Sequence, residues 1–211
     1  MYLPDYFREE RPEVLREFMR AHPLAMVVSM QGGQPSVDHL PLLIDAATPI
    51  TAQLFGHVAR ANPIVSLVAE AAPVLAVFGG ADHYITPSWY VQKAIDGRVV
   101  PTWNYSTVHV HGTWHWITDL TAVRSLVAKL TDEHEKDRST PWAIADAPED
   151  YLSSMLKAIV GFEIKITSMI GKFKNSQNKN EADRNGIARG LSALGLSEDA
   201  IGDLVKPRPI G

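Results

Sequence analysis

The 211-residue chain contains no cysteine, so disulfides, thiolate nucleophiles and Cys-ligated metals are excluded at the outset. It also lacks a strong charge bias. Twenty Lys and Arg against 24 Asp and Glu leave a formal net charge of -4, which gives no global attraction to a polyanion. Contact with DNA would then need a local basic patch or a second protein, and with no recognisable reading helix the expected contact is indirect. No apolar run approaches the roughly 18 residues of a membrane-spanning helix, and the aromatic, acidic start Met1-Tyr2-Leu3-Pro4-Asp5-Tyr6-Phe7 has no signal core. These features read as a soluble cytoplasmic protein without membrane contact. Gly-x-Ser-x-Gly, a strand followed by Gly-x-Gly-x-x-Gly, and a Walker loop are missing as well, which removes most of the weight from hydrolase, dinucleotide-fold dehydrogenase and nucleotide triphosphatase readings.

What is present is an ordinary globular composition, 45% hydrophobic and 8% aromatic, sufficient for one sizeable domain. The centre of the pattern is Leu54-Phe55-Gly56-His57-Val58-Ala59-Arg60-Ala61-Asn62-Pro63. An apolar strand ends there and Asn62-Pro63 opens a helix, because Asn caps well and Pro suits the first helical position. Ile64, Leu67, Val68 and Ala71 follow at helical spacing. A helix N-terminus beside a guanidinium and an imidazole predicts an anion site suited to phosphate. The alternative is a capped surface helix carrying an exposed arginine.

Around this stretch, Pro12 begins an amphipathic helix that ends near His22-Pro23, with Val14, Leu15, Phe18 and Met19 on one face. Leu24 to Met30 and Ser36 to Ile44 form a hairpin about Gln31-Gly32-Gly33-Gln34, and Pro41 in the returning segment demands an edge or a bulge. Asp45 to Pro49 reads as a loop. Val74 to Phe78 is a strand closed by Gly79-Gly80, and Ala81 to Trp103 reads as a long aromatic connection without regular structure, a binding loop or a cover over a barrel end. Tyr105 to Ile117 alternates cleanly, with Val108, Val110, Trp114 and Trp116 on one face and Thr107, His109, His111, Thr113 and His115 on the other. No carboxylate shares the histidine face, so these residues predict no metal site.

Thr118-Asp119 caps a further helix, Asp132-Glu133-His134-Glu135 reads as its solvated end, and Pro148 starts another helix stopped by Gly161. On that helix Tyr151, Leu152, Met155, Leu156 and Ile159 form the buried side. A half-buried strand from Phe162 precedes the patch Gly171-Lys172-Phe173-Lys174-Asn175-Ser176-Gln177-Asn178-Lys179. The patch is either a second phosphate site or a solvated turn before weak helices at Ile187 to Leu194 and Ser197 to Leu204. Six or seven mostly antiparallel strands with helices around them suggest a barrel in an α+β arrangement. Two candidate phosphate sites and an aromatic loop describe a ligand with an anionic tail and a flat conjugated head, which flavin mononucleotide and pyridoxal phosphate both satisfy.

Gly56-His57-Val58-Ala59-Arg60-Ala61-Asn62-Pro63, Tyr84-Ile85-Thr86-Pro87-Ser88-Trp89-Tyr90, Val100-Pro101-Thr102-Trp103-Asn104-Tyr105 and Gly171 to Asn178 resemble the motifs of the PaiB family, described as FMN-binding negative transcriptional regulators. Tyr2-Leu3-Pro4 with Phe7, and His39-Leu40-Pro41-Leu42, are similar too, and the likeness runs from about residue 1 to 195. It implies a mainly antiparallel split β-barrel of the pyridoxamine-phosphate-oxidase type with peripheral helices. The expected organisation is one domain over 1–211 with a small helical extension from about 180 to 211. The resemblance also implies a homodimer with FMN at the subunit interface and the FMN phosphate near His57, Arg60 and Asn62. The expected cofactor-binding set is His39, His57, Arg60, Asn62, Trp103, Asn104, Lys172, Lys174, Ser176 and Gln177. Phe173 stands where the family usually has Trp, and Thr86 where it has Ser. The first exchange removes an indole N–H and so any donor role at position 173. No residue is marked as a catalytic acid or base, which favours a regulatory FMN-binding protein. The alternatives are a flavin-dependent oxidoreductase acting on a small acceptor and a flavin-free binding module.

Overall fold

A computed structural model describes residues 1–44 and 53–206. The loop expected at Asp45 to Pro49 and the last five residues of the C-terminal extension lie outside the described residues. Clustering of the backbone gives two compact units: Met19–Phe78 with His109–Met169, and Met1–Phe18 with Gly79–Val108 and Ile170–Gly211.

In the Met19–Phe78 and His109–Met169 unit, β2 (Leu24–Gln31) and β3 (Gln34–Pro41) form an antiparallel hairpin. Gly32 and Gly33 both have positive φ, 58° and 83°, the conformation a tight two-residue turn requires and only glycine adopts at no cost. β2 pairs with β6 (Pro73–Ile85). β5 (Gln53–Ala59) pairs on one side with β4 (Leu43–Ile44) and on the other with β8 (Ile159–Lys174), and β7 (Thr102–Ile117) completes the order β3-β2-β6-β7-β8-β5-β4. Pro41 ends an edge strand, where its missing N–H costs the ladder nothing.

The core of this unit is aromatic. Trp114 stacks on Phe162 with centroids 3.9 Å apart, and an added Cβ at Gly56 would come within 2.5 Å of the Phe162 ring. Helix α4 (Leu120–Glu135) is capped by the Asp119 carboxylate accepting from the Ala122 N–H, and α5 (Glu149–Lys157) packs with it through Val123, Leu152 and Leu156. Tyr151 and Met155, expected on the buried side of α5, are exposed, because the apolar contact with α4 runs through Leu152 and Leu156. Gly161 does not stop that helix. It ends at Lys157, and Gly161 sits inside β8 where Leu126 and Ile117 leave little room for a side chain.

In the other unit, β1 (Arg8–Glu9) pairs with the end of β8. β6 continues through Gly79-Gly80 to Ile85 instead of closing at the glycines, because glycine in extended geometry need not turn. A 3-10 turn at Pro87–Trp89 and helix α3 (Gln92–Ile95) follow, so the connection expected to lack regular structure is largely structured. Helices α6 (Glu181–Ala193) and α7 (Glu198–Leu204) are capped by Asn180 and Ser197. Ile187, Leu191 and Leu204 bury against Ile85 and Tyr90. Both units belong to a mainly antiparallel α+β split barrel, as expected.

Candidate functional site

A helix does start at the strand-to-helix corner, but α2 (Ile64–Leu67) is a single turn capped at Pro63, so Asn62 precedes the cap instead of forming it, and Val68 and Ala71, expected to continue the helix, lie beyond it. Asn62 Oδ1 accepts from the Ile64 N–H at 2.9 Å, which satisfies one of the amides that a longer helix would offer to an anion. Asn62 Nδ2 donates to Asp38 Oδ1 at 3.2 Å, so a carboxylate from β3 stands beside the corner. Arg60 is exposed and donates from Nε to the Lys157 carbonyl and from Nη2 to the Ile159 carbonyl, each at 3.0 Å. Those bonds tie the end of β5 to the turn between α5 and β8 and leave three of the five guanidinium N–H groups for a ligand. His57 is half-buried, its Nδ1 is buried without a hydrogen-bond partner, and burial lowers its pKa below the ordinary histidine value.

His39 lies opposite Met26 on the outward face of the β2–β3 hairpin. That face also carries Leu24, Met30 and Val37; with Met26 the four apolar residues are 59%, 54%, 51% and 41% exposed. These four residues share one exposed apolar face of the hairpin.

The remaining expected residues lie in the unit built on Gly79–Val108. Trp103 is 53% exposed and meets Tyr84 edge-on, with centroids 6.0 Å apart, beside a shallow cleft lined by Gly79, Gly80, Tyr105 and Thr107. Asn104, Ser176 and Gln177 are buried and satisfied internally. Asn104 Nδ2 donates to Ser176 Oγ and to the Leu204 carbonyl, each at 2.8 Å, and Ser176 Oγ donates back to Asn104 Oδ1 at 3.1 Å. Gln177 Oε1 accepts from the Asn175 N–H at 2.7 Å, while its Nε2 donates to the Phe173 carbonyl. The patch is therefore a folded knot with Ser176 at φ 60°, not a solvated turn.

Lys174 Nζ donates to Thr102 Oγ1 and the Trp103 carbonyl. Its pKa is lowered by burial and then by the like charges of Lys172 and Lys179. Lys172 lies over the Tyr2 and Tyr105 rings, 5.9 and 5.3 Å from their centroids.

Sequence reasoning missed Asp38 and Glu70. The Glu70 carboxylate reaches His115 Nδ1 at 2.5 Å and accepts from the Trp116 N–H at 3.1 Å, so the histidine face does receive a carboxylate, from the connection between α2 and β6. Among the described residues no three His, Asp or Glu side chains cluster as a metal site. Only the spacing of Glu70 from a distant strand hid it, and no local signal would have paired the two.

Residues 1–168 match the model of the family described as "Putative FMN-binding domain". The sporulation and protease synthase protein PAI 2 of Bacillus subtilis is 33% identical over 87% of this chain and 85% of its own, and an uncharacterised Emericella nidulans protein is 30% identical over 99% and 97%. Among solved structures, the flavocytochrome Anf3 of Azotobacter vinelandii has a TM-score of 0.60 at 15% identity, covering 87% of this chain and 78% of that one. The FAD and heme binding protein of Mycobacterium smegmatis has 0.59 at 18%, covering 80% and 73%. At such identities the structural likeness speaks for the fold alone. The chain belongs to the FMN-binding domain family of PaiB type.

Proposed function

We propose that this protein binds FMN as a homodimer and serves a regulatory role. The observation that carries the reading is the family match over residues 1–168. The residues at the corner fit the cofactor's anionic end: Arg60 retains N–H groups after its two backbone bonds, and the orphaned His57 Nδ1 is a polar atom whose burial otherwise goes uncompensated. Asn62, held between Ile64 and Asp38, orients the corner, and the Asp38 charge restricts where a phosphate can sit.

When bound, the flavin supplies reversible electron transfer at its ring; the protein's own residues bind and orient. The exposed apolar face of β2–β3, with His39 in its middle, supports the homodimer, since burying it against a second copy removes the largest unfavourable hydration on that hairpin. The regulatory role rests on the likeness to PAI 2, whose name ties it to protease synthesis and sporulation, and the acidic balance makes contact with DNA indirect. Absorbance of the purified protein at flavin wavelengths, with a gel-shift series across salt, tests the reading. Flavin colour without steep salt-dependent DNA binding is the expected result, and a colourless protein that takes up no added FMN overturns it.

A further inference from the structure

The Glu70 carboxylate, the His115 imidazole and the Thr113 hydroxyl form a chain of contacts outside the corner described above. Glu70 Oε1 meets His115 Nδ1 at 2.5 Å, and His115 Nε2 meets Thr113 Oγ1 at 3.0 Å. The other carboxylate oxygen accepts from the Trp116 N–H at 3.1 Å. That backbone bond first, and the His115 bond second, hold the Glu70 pKa below the usual carboxylate value. Glu70 is therefore ionised at neutral pH and can only accept. In the neutral ring of His115 the proton then lies on Nδ1, Nε2 presents its lone pair, and the Thr113 O–H donates to it.

The carboxylate is also held in place. The Ala71 N–H donates to the Trp114 carbonyl at 2.7 Å, the Trp114 N–H to the Ala72 carbonyl at 2.9 Å, and Trp116 Nε1 to the Val68 carbonyl at 3.2 Å. The segment carrying Glu70 is thus strapped to β7 on both sides of that residue. Ala71 takes a φ of 58°, a left-handed conformation that alanine rarely adopts, and these bonds over-determine it. Backbone strain of this kind collects at functional sites.

A fixed carboxylate, an oriented imidazole and a hydroxyl on its lone pair are the parts that acyl transfer needs, recognised by role and not by order in the chain. We propose that Thr113 is an acyl acceptor, with His115 as its general base and Glu70 as the residue that positions the base. Thr113 Oγ bonds to the carbonyl carbon of an ester while His115 Nε2 takes the hydroxyl proton; the bond to the leaving oxygen breaks, and that oxygen departs with the proton from Nε2. Nε2 next takes a proton from water, whose oxygen bonds to the acyl carbon. The carboxylic acid departs as Thr113 recovers the proton. Thr113 and His115 are half-buried and Glu70 is exposed. Lys165, which also helps to lower the Glu70 pKa and pairs with Glu163 at 3.3 Å, adds a positive charge to the cluster that favours an oxyanion. The arrangement selects by reactivity and not by enclosure, so its substrates are short acyl esters with a good leaving group. The activity goes beyond the flavin reading and does not depend on it.

The test mixes the full chain with p-nitrophenyl acetate, follows release of p-nitrophenolate by absorbance, and locates the acetyl group by peptide mass spectrometry. A burst approaching one equivalent per chain is expected, with the acetyl group on Thr113, followed by slower turnover. Thr113→Val keeps the branched side chain and should abolish the burst, whereas Thr113→Ser keeps the hydroxyl and should retain it; thermal melts check that both fold. His115→Asn should slow acylation of Thr113 by about 100-fold or more. Glu70→Gln should slow it by about 10-fold or more, and nitrogen NMR of His115 should show the Nδ1–H tautomer in the parent and a shift toward Nε2–H in this variant, a change that lost packing alone would not produce. Acetyl groups confined to other side chains, a burst that survives in Thr113→Val, or a Glu70→Gln variant with the parental rate and tautomer would each overturn the proposal, whatever an FMN titration of the same protein gives.

Discussion

Arg60→Ala separates a structural job from a binding one. The guanidinium makes two bonds to the carbonyls of Lys157 and Ile159, and the Arg60 backbone N–H donates to the Ala158 carbonyl at 2.8 Å independently of the side chain. Because the side chain is exposed, water replaces it at those carbonyls, and the stability loss should be about 1 kcal/mol or less, a Tm shift of roughly 2–4 °C for a chain of this size. For FMN the loss is larger. Removing a charged donor from a phosphate costs about 1.5–3 kcal/mol, which is roughly a 10- to 150-fold rise in Kd. Lys93→Ala is the control: its ammonium donates to Ser88 Oγ at 3.3 Å, and its removal should leave Kd within about twofold. Fluorescence titrations of the two variants, beside thermal melts, give both numbers. Equal FMN affinities for Arg60→Ala and Lys93→Ala would refute the assignment of Arg60 to the cofactor.

Gly186→Ala should lower stability by about 1–3 kcal/mol, since its Cβ would fall 2.0 Å from the Trp89 carbonyl oxygen, while Gly202→Ala, in open space, should be harmless; matching melts for the two would contradict the close approach of α6 to the turn at Trp89. Burial holds the His57 pKa below its unfolded value of about 6.5, so the unfolded chain takes up a proton that the folded one resists, and stability falls as pH drops below about 6.5. Denaturant melts across that range should show a smaller loss for His57→Leu than for the parent, and parallel curves would remove the histidine from the acid response. Met26→Lys, at the centre of the exposed hairpin face, should convert the proposed dimer to monomer in light-scattering chromatography; a dimer that persists would place the interface elsewhere.

Local signals made much of the fold legible. The Gly32-Gly33 turn, the alternation of Tyr105 to Ile117 and the Asp119 cap each depend on residues close in sequence, and each appears as expected. Where the reading failed, a distant contact decided. Gly79-Gly80 looks like a stop, but pairing in the sheet carries β6 to Ile85, and Gly161 looks like a helix end, but Leu126 and Ile117 crowd a position inside β8. The expected site residues show the same division. Asn104, Ser176 and Gln177 are polar residues in a motif, and sequence could not reveal that they bond to one another and to the Phe173 and Leu204 carbonyls.

The most direct measurement is titration of protein stripped of cofactor with FMN, followed by flavin fluorescence. A saturable change at one FMN per chain, weakened by Arg60→Ala, is the expected result. Fluorescence that stays that of free FMN across the whole range, in protein shown to be folded, would contradict flavin binding by this chain.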